Sequence, residues 1–208
     1  MDHKALFVRF TADAGHEADV ADFLRDAQGP IEEEPQTRDW YAIRFTPTDY
    51  AVVDTFPDNL GRLKHLFGKV GRALPVKTFT ILDGPPGIHP AEVLASKPLA
   101  QGATPRLALH VPLEARSGQE EAVERFLIDA QPLIAGETGT LAWYALKLSS
   151  SNFAIVDFFA DETARAAHLS GGVAGALMTR AAELFEEVPA IRRGDVLACK
   201  AGAQSAVL

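Results

Sequence analysis

Of the six histidines in the chain, His65 and His168 stand 103 residues apart, and the same displacement carries Asp54 onto Asp157, Trp40 onto Trp143 and Arg62 onto Arg165. His3, His16, His89 and His110 have no histidine counterpart at that spacing. A neutral imidazole with a reference pKa near ~6.5 can take a proton from a phenolic or enolic substrate at neutral pH, so His65 and His168 are candidate catalytic groups. The competing reading is a histidine that hydrogen-bonds across a helix–sheet interface and fixes packing. Asp54 and Asp157 each interrupt an apolar strand-like run, on the side of Val52 and Phe56 or of Ile155 and Phe159. A carboxylate buried there requires a partner. The candidates are Arg62 or Arg165, Arg44 or Lys147, and the indole N–H of Trp40 or Trp143. Either aspartate is then a structural pair, a base with a raised pKa, or an acid that orients substrate. Trp40 and Trp143, the only tryptophans, are plain core or an aromatic wall for a planar ligand, with Tyr41, Tyr144, Phe7 and Phe56 near them. Arg62 and Arg165 follow Asp58 and Asp161 by four residues. They are solvent-facing helix pairs or contacts to an anionic or quinol oxygen.

These coincidences come from a duplication. Residues 6–97 align without gaps on 109–200, and roughly a third of the positions are identical, several times the chance level. Asp26-Ala27-Gln28 recurs as Asp129-Ala130-Gln131, Trp40-Tyr41-Ala42 as Trp143-Tyr144-Ala145, and Val93-Leu94-Ala95 as Val196-Leu197-Ala198. The expected organisation is a first repeat over 1–97, a Pro/Gly/Ala-rich linker over 98–105, a second repeat over 106–200 and a tail over 201–208.

Each repeat reads β-α-β-β-α-β. First strands are expected over 4–11 and 106–113, with Pro112 marking an edge or a bulge. Helices follow, with stripes at Val20, Phe23, Leu24, Ala27 and at Val123, Phe126, Leu127, Ala130. Hairpins join 39–46 to 50–56 and 142–149 to 153–159. Second helices start after the N-cap residues Asp58 and Asp161, and last strands span 91–97 and 194–200. Between these, 179–187 suits a short helix, whereas 76–84 prefers strand or coil. The order is that of a ferredoxin-like split βαβ unit. Tyr50, Val52 and Phe56 with Ala51 and Val53 make both faces of one strand apolar, so the α+β fold expected is two such sheets packed on each other within one chain.

The passage into the first helix with Gly15 or Gly118, the Trp-Tyr-Ala strand, the strand bearing Asp54 or Asp157, and the helix opening Asp58-x-x-x-Arg62-x-x-His65-Leu66, with its counterpart Asp161 to Leu169, resemble the antibiotic biosynthesis monooxygenase domain family of the dimeric α/β-barrel superfamily. The resemblance spans nearly the whole chain, twice. It implies an intramolecular version of the barrel that single-domain members form as homodimers. The family includes cofactor-free quinol and anthrone oxygenases and heme-degrading enzymes. The resemblance therefore implies a cofactor-independent monooxygenase of a small aromatic quinol- or polyketide-like substrate and O₂. The alternatives are a non-catalytic stress-response or small-ligand-binding barrel, or a chain with one active half. Heme-degrading members resemble one another in a first-strand Asn; here that strand has Phe7, Val8 and Arg9, or His110, Val111 and Pro112.

Composition narrows the classes. The net charge of -8 divides evenly, and no clustered basic face suggests nucleic acid or anionic lipid as a partner. With 47% apolar and 23% charged residues the chain reads as a folded globular protein. No signal peptide or run of ~20 apolar residues is evident, so a cytoplasmic location and no membrane partner are expected. The single cysteine, Cys199, precludes an internal disulfide or a cysteine-cluster metal site and reads as a packed thiol. His110 with His168 lacks a third metal ligand. Nucleotide, phosphate, zinc-protease and esterase motifs are absent. If both sheets pack within the chain, a monomer suffices, and a homodimer stays open.

Overall fold

The computed structural model describes residues 3–201; the rest of the expected tail, 202–208, lies outside the described residues. The first repeat forms β1 (Lys4–Thr11), α1 (Glu17–Asp26), α2 (Gln28–Glu32), β2 (Trp40–Arg44), β3 (Asp49–Phe56), α3 (Asn59–Leu66), α4 (Lys69–Thr78) and β4 (Gly87–Lys97). The second forms β5 (Leu107–Glu114), α5 (Glu120–Asp129), α6 (Gln131–Gly136), β6 (Thr140–Lys147), β7 (Asn152–Phe159), α7 (Glu162–Leu169), α8 (Gly172–Leu184) and β8 (Arg192–Lys200). The expected βαββαβ order therefore stands in both copies, with each helix split into two. The hydrogen-bonded strand order is β1-β3-β2-β8 in one sheet of four and β5-β7-β6-β4 in another.

Contacts divide the chain into two compact units, and the division does not follow the repeats. One unit runs to Pro90 and takes in the chain from Gly194 onward; the other is Ala91–Arg193. Each thus holds three strands of one repeat and the last strand of the other. In the first unit β2 pairs antiparallel with both β3 and β8, placing Trp40 opposite Asp54 on one side and Lys200 on the other. In the second, β6 pairs with β7 and β4, placing Trp143 opposite Asp157 and Lys97. Pro112 pairs with Ala154 in a β5–β7 ladder without a register break, so it makes no bulge there.

Local chemistry explains the shared elements. Gly15 (φ 87°) and Gly118 (φ 83°) take the left-handed conformation just before α1 and α5, which residues with a Cβ rarely adopt. Asp58 and Asp161 cap α3 and α7 as expected, accepting from Gly61 N at 2.8 Å and from Ala164 N at 2.9 Å.

The repeats part company at α4 and α8. Helix α8 runs 13 residues and buries Val173, Leu177, Ala181 and Leu184. Helix α4 runs 10, contains Pro75, and leaves Val70 and Leu74 only half-buried. Pro75 stands where α8 has Met178; it lacks the N–H that would bond four residues back, and its ring crowds that carbonyl. Residues 76–78 are nonetheless helical, which corrects the strand or coil expected for 76–84. The helix already formed from Lys69 tolerates the proline and ends three residues after it. Beyond it only an isolated bridge, Ala12 to Leu82, is strand-like.

Leu177 and Leu74 occupy equivalent positions in different surroundings. Leu177→Ala is expected to destabilise by about 2–5 kcal/mol, as truncations in a closed core do, and Leu74→Ala by less than half as much. Urea unfolding of the two variants checks this, and equal losses would show α4 to be packed as α8 is.

Candidate functional site

Strand β3 brings Asp54 into the centre of its sheet, between Leu6 on β1 and Trp40 on β2. Its side chain is 1% exposed. Helix α3, started by its Asp58 cap, ends with His65 in its last turn. His65 Nε2 lies 3.1 Å from Asp54 Oδ2, and Nδ1 lies 2.7 Å from Glu34 Oε2. Thr37 donates its hydroxyl to the same Glu34 oxygen at 2.8 Å. Phe56 flanks the imidazole, with ring centroids 5.4 Å apart.

The second repeat repeats the set. His168 Nδ1 is 2.7 Å from Glu137 Oε2, His168 Nε2 is 3.5 Å from Asp157 Oδ1, and Thr140 donates to Glu137 Oε2 at 2.7 Å. Phe159 lies beside that imidazole at 5.3 Å between centroids.

The sequence pointed to Asp54 and His65 as separate candidates, and the structure joins them. The partner of Asp54 is His65. Arg44 instead pairs with Asp195 and Lys147 with Glu124. Arg62 donates to Ala5 O and Asn59 Oδ1, and Arg165 pairs with Glu162. Glu34, Glu137, Thr37 and Thr140 were not singled out from the sequence. The signal was there: each Glu and each Thr is identical in the two repeats at the same displacement.

A second support comes from the far end of the chain. Lys200 on β8 donates to Ile31 O at 2.9 Å and Glu34 O at 2.6 Å, satisfying carbonyls at the end of α2 and fixing the backbone that carries Glu34. Lys97 does the same for Ile134 O and Glu137 O.

Geometry dictates protonation. Both ring nitrogens of His65 face carboxylate oxygens, and a neutral imidazole has one N–H to offer, so it would turn a lone pair toward one of them. Burial by itself lowers the imidazole pKa, but Asp54 and Glu34 outweigh it and raise it to about 10. The helix C-terminus also favours a cation there. The neutral imidazole expected from the sequence is thus held as imidazolium. Burial raises the Asp54 pKa against the opposing pull of His65. Glu34 is lowered overall; burial opposes this, while His65, Thr37 and Lys200 outweigh it. In the second copy burial pushes Asp157 up to about 7, with His168 working against it.

Asp54 and His65 also line a cavity of about 400 Å³ in the first unit. They are the ionisable groups of that lining; the rest is apolar, with Trp40, Phe10 and Val52 among the strand residues and Leu74, Pro75 and Phe79 from α4 and its end. Asp54 Oδ1 has no hydrogen-bond partner. Arg62 is not among the residues of the wall. Cys199 is part-buried, and burial raises its thiol pKa. Among the described residues no cluster of three His, Cys, Asp or Glu is placed to hold a metal ion, and no helix is long and apolar enough to cross a membrane.

No protein-family model and no curated protein matches the chain. Solved structures do. A "putative monooxygenase" from Fusobacterium nucleatum superposes with a TM-score of 0.84 at 13% identity, covering 97% of this chain and 96% of that one. A ferredoxin-fold protein related to antibiotic biosynthesis monooxygenases, from Listeria monocytogenes, gives 0.56 at 11% identity, covering 94% and 95%. An anthrone oxidase-like protein gives 0.63 at 16% identity, covering 100% and 97%. The fold is therefore the monooxygenase-like, ferredoxin-like barrel fold of the antibiotic biosynthesis monooxygenase-related proteins, present here as a tandem duplication.

The raised pKa of His65 has a consequence for stability. The folded value of about 10 exceeds the unfolded 6.5, so the folded state binds the extra proton. The stabilisation is complete below the unfolded value and is lost as pH rises through the folded one. The stability difference between wild type and His65→Asn, measured by urea unfolding, should be largest near ~pH 6 and shrink steadily toward ~pH 10. A difference that does not vary with pH would mean that the imidazole is not charged in the fold.

Proposed function

We propose that this chain, with its duplicated antibiotic biosynthesis monooxygenase-type fold, is a cofactor-independent oxygenase of small, planar, aromatic quinol- or anthrone-like molecules. The observation that carries the reading is the apolar cavity whose ionisable lining is the Asp54–His65 pair. Its volume of about 400 Å³ falls within the ~300–1,000 Å³ of small-molecule sites. Trp40 offers an aromatic wall.

In this reading the base is Asp54. Its free Oδ1 accepts a proton from the phenolic or benzylic position of the bound substrate, and the His65 imidazolium keeps the carboxylate available. An apolar wall disfavours the protonated aqueous alternatives and leaves an electron-rich anion beside O₂. For an anthrone-like methylene, the carbanion passes an electron to O₂ and the two radicals combine to a peroxide. The peroxide takes up a proton and loses water to leave a ketone. One oxygen atom enters the substrate and the other leaves as water, so no external reductant is required. The described likeness of one structural neighbour to anthrone oxidase supports the substrate class.

A second reading, a ligand-binding barrel without turnover, is favoured by the second repeat, where the same Glu–His–Asp set accompanies the fully packed helix α8. There the set serves packing, with Arg165 and Trp143 as structural neighbours.

Oxygen uptake with a panel of anthrones and quinols separates the two. Wild type is expected to consume O₂, and Asp54→Asn to lose ~10²-fold or more in kcat/KM while still binding the substrate. Binding without uptake by wild type would favour the second reading, and unchanged turnover in Asp54→Asn would remove the base.

A further inference from the structure

Helices α3 and α4 carry an exposed apolar face that their counterparts lack. Leu60, Leu63 and Phe67 recur at helical spacing along α3 and its C-cap, and Lys69, Arg72, Val76 and Phe79 do so along α4 and its C-cap. All seven are exposed, Phe67 at 68% and Phe79 at 90%. In the second repeat the positions of the five apolar residues are held by Thr163, Ala166, Ser170, Thr179 and Ala182, which are exposed as well. The two copies thus share helices and exposure at these sites, and large apolar side chains stand in one where small or hydroxylated ones stand in the other. A single exposed Leu is ordinary, whereas five such residues gathered in one copy mark a contact surface.

Charge separates the copies too. Residues 59–82 hold five Lys and Arg and no Asp or Glu, while 162–185 hold two basic and two acidic residues. Acids elsewhere balance the first segment, so the even charge of the two halves conceals a basic face. Arg62 turns inward to Ala5 O, Lys77 lies over the Phe23 ring and Lys69 pairs with Glu33. Lys64, Lys69 and Arg72 line, with Glu33 and Glu34, a polar cleft of about 360 Å³ at which α3 and α4 meet.

We propose that this face docks on an anionic lipid surface, lying on it rather than crossing it, and that the mouth of the Asp54–His65 cavity thereby opens against the bilayer. Three features favour lipid over a second copy of the chain or another protein. Lys64 stands within the apolar stripe of α3; protein interfaces are depleted of lysine, whereas at a lipid surface its stem lies along the apolar boundary and its ammonium reaches headgroup phosphate. The positive charge of both helices complements anionic headgroups. Phe79 belongs to the face and to the cavity wall at once, and Pro75 and Ile88 are likewise both exposed and part of that wall. A protein seated there would close the mouth, and a bilayer would supply it. An apolar quinol or anthrone partitions into lipid, so docking passes it to Asp54 without a step through water. That delivery rests on the oxygenase reading; the docking stands on the surface alone.

Sedimentation with vesicles of phosphatidylcholine, alone or mixed equally with phosphatidylglycerol, reads the docking. Wild type is expected to sediment with the mixed vesicles, less so as salt is raised, and to stay in solution with pure phosphatidylcholine. Lys64→Glu/Arg72→Glu and Leu63→Ala/Phe67→Ser change only exposed side chains, and each pair should lower partitioning by ~10-fold or more. Melting temperatures identify any loss of fold. No sedimentation of wild type with the anionic vesicles, or equal sedimentation of wild type and both folded variants, would overturn the docking. So would a wild-type dimer, seen by light scattering without lipid, that Leu63→Ala/Phe67→Ser splits, since the face would then belong to a second copy. Oxygen uptake tests the delivery. With an apolar quinol carried in the anionic vesicles, Lys64→Glu/Arg72→Glu should lose ~10-fold in kcat/KM, and with a water-soluble quinol it should match wild type. Equal rates from vesicles would overturn the delivery alone. No uptake by wild type from either form would overturn the oxygenase reading and the delivery with it, and leave the docking to the sedimentation result.

Discussion

A carboxylate at the centre of a sheet organises the rest of the first unit. Asp54 sits 1% exposed between Leu6 and Trp40, and an isolated ionised carboxylate in such surroundings is strongly disfavoured. His65 answers that charge, but only as a cation, and a buried cation needs a second anion. Glu34 supplies it, Thr37 orients the Glu34 oxygen, and Lys200 fixes the backbone from which Glu34 projects. Each member is present because the preceding one would otherwise be left uncompensated. Removing one partner from such a row is costly because it strands the remaining charges. That places the helix end, the loop after α2 and the chain's last strand under one electrostatic constraint.

The constraint is met twice, with different results. Both repeats carry the Glu, Thr, Asp, His and Lys, and in both the histidine lies within 2.7 Å of the glutamate. The His–Asp contact is longer in the second copy, 3.5 Å against 3.1 Å, and the walls differ in kind. In the second unit α8 lays Val173, Leu177, Ala181 and Leu184 into the core, continuous with Phe185 and Phe153. In the first, α4 contains Pro75, is three residues shorter than α8 and contributes half-buried Val70 and Leu74, so the space before Asp54 and His65 is a cavity. The polar row is thus sufficient for packing, and the cavity is a separate feature added by a proline and a shortened helix.

Much of this was legible in the sequence because it is periodic. The duplication, the βαββαβ order and the Asp58 and Asp161 caps follow from identity at a fixed displacement and from the 3.6- and 2-residue patterns. Asp54, His65 and Trp40 stood out as polar or bulky residues kept in both copies. Their mutual contact did not, because the pairing depends on how α3 lies on β3, which the pattern of one strand and one helix does not specify. Glu34 and Thr37 were hidden by ordinary context: a run of three acids, Glu32-Glu33-Glu34, reads as a solvated surface. The placing of β8 beside β2 was equally hidden, since an apolar strand carries no mark of which repeat's sheet it will join.

That exchange of last strands bears on why the asymmetry is tolerated. A homodimer of identical chains would place the same helix, with or without its proline, in both halves. A duplicated chain can change one copy alone. Yet the first unit cannot complete itself from its own repeat, because Lys200 and the strand that pairs with Trp40 come from the end of the second. The second repeat, with its filled core at α8, therefore contributes an element that the cavity-bearing unit requires. Loosening α4 costs packing where it occurs. The chain's connectivity ensures that the loosened unit takes its fourth strand from the repeat that kept its packing.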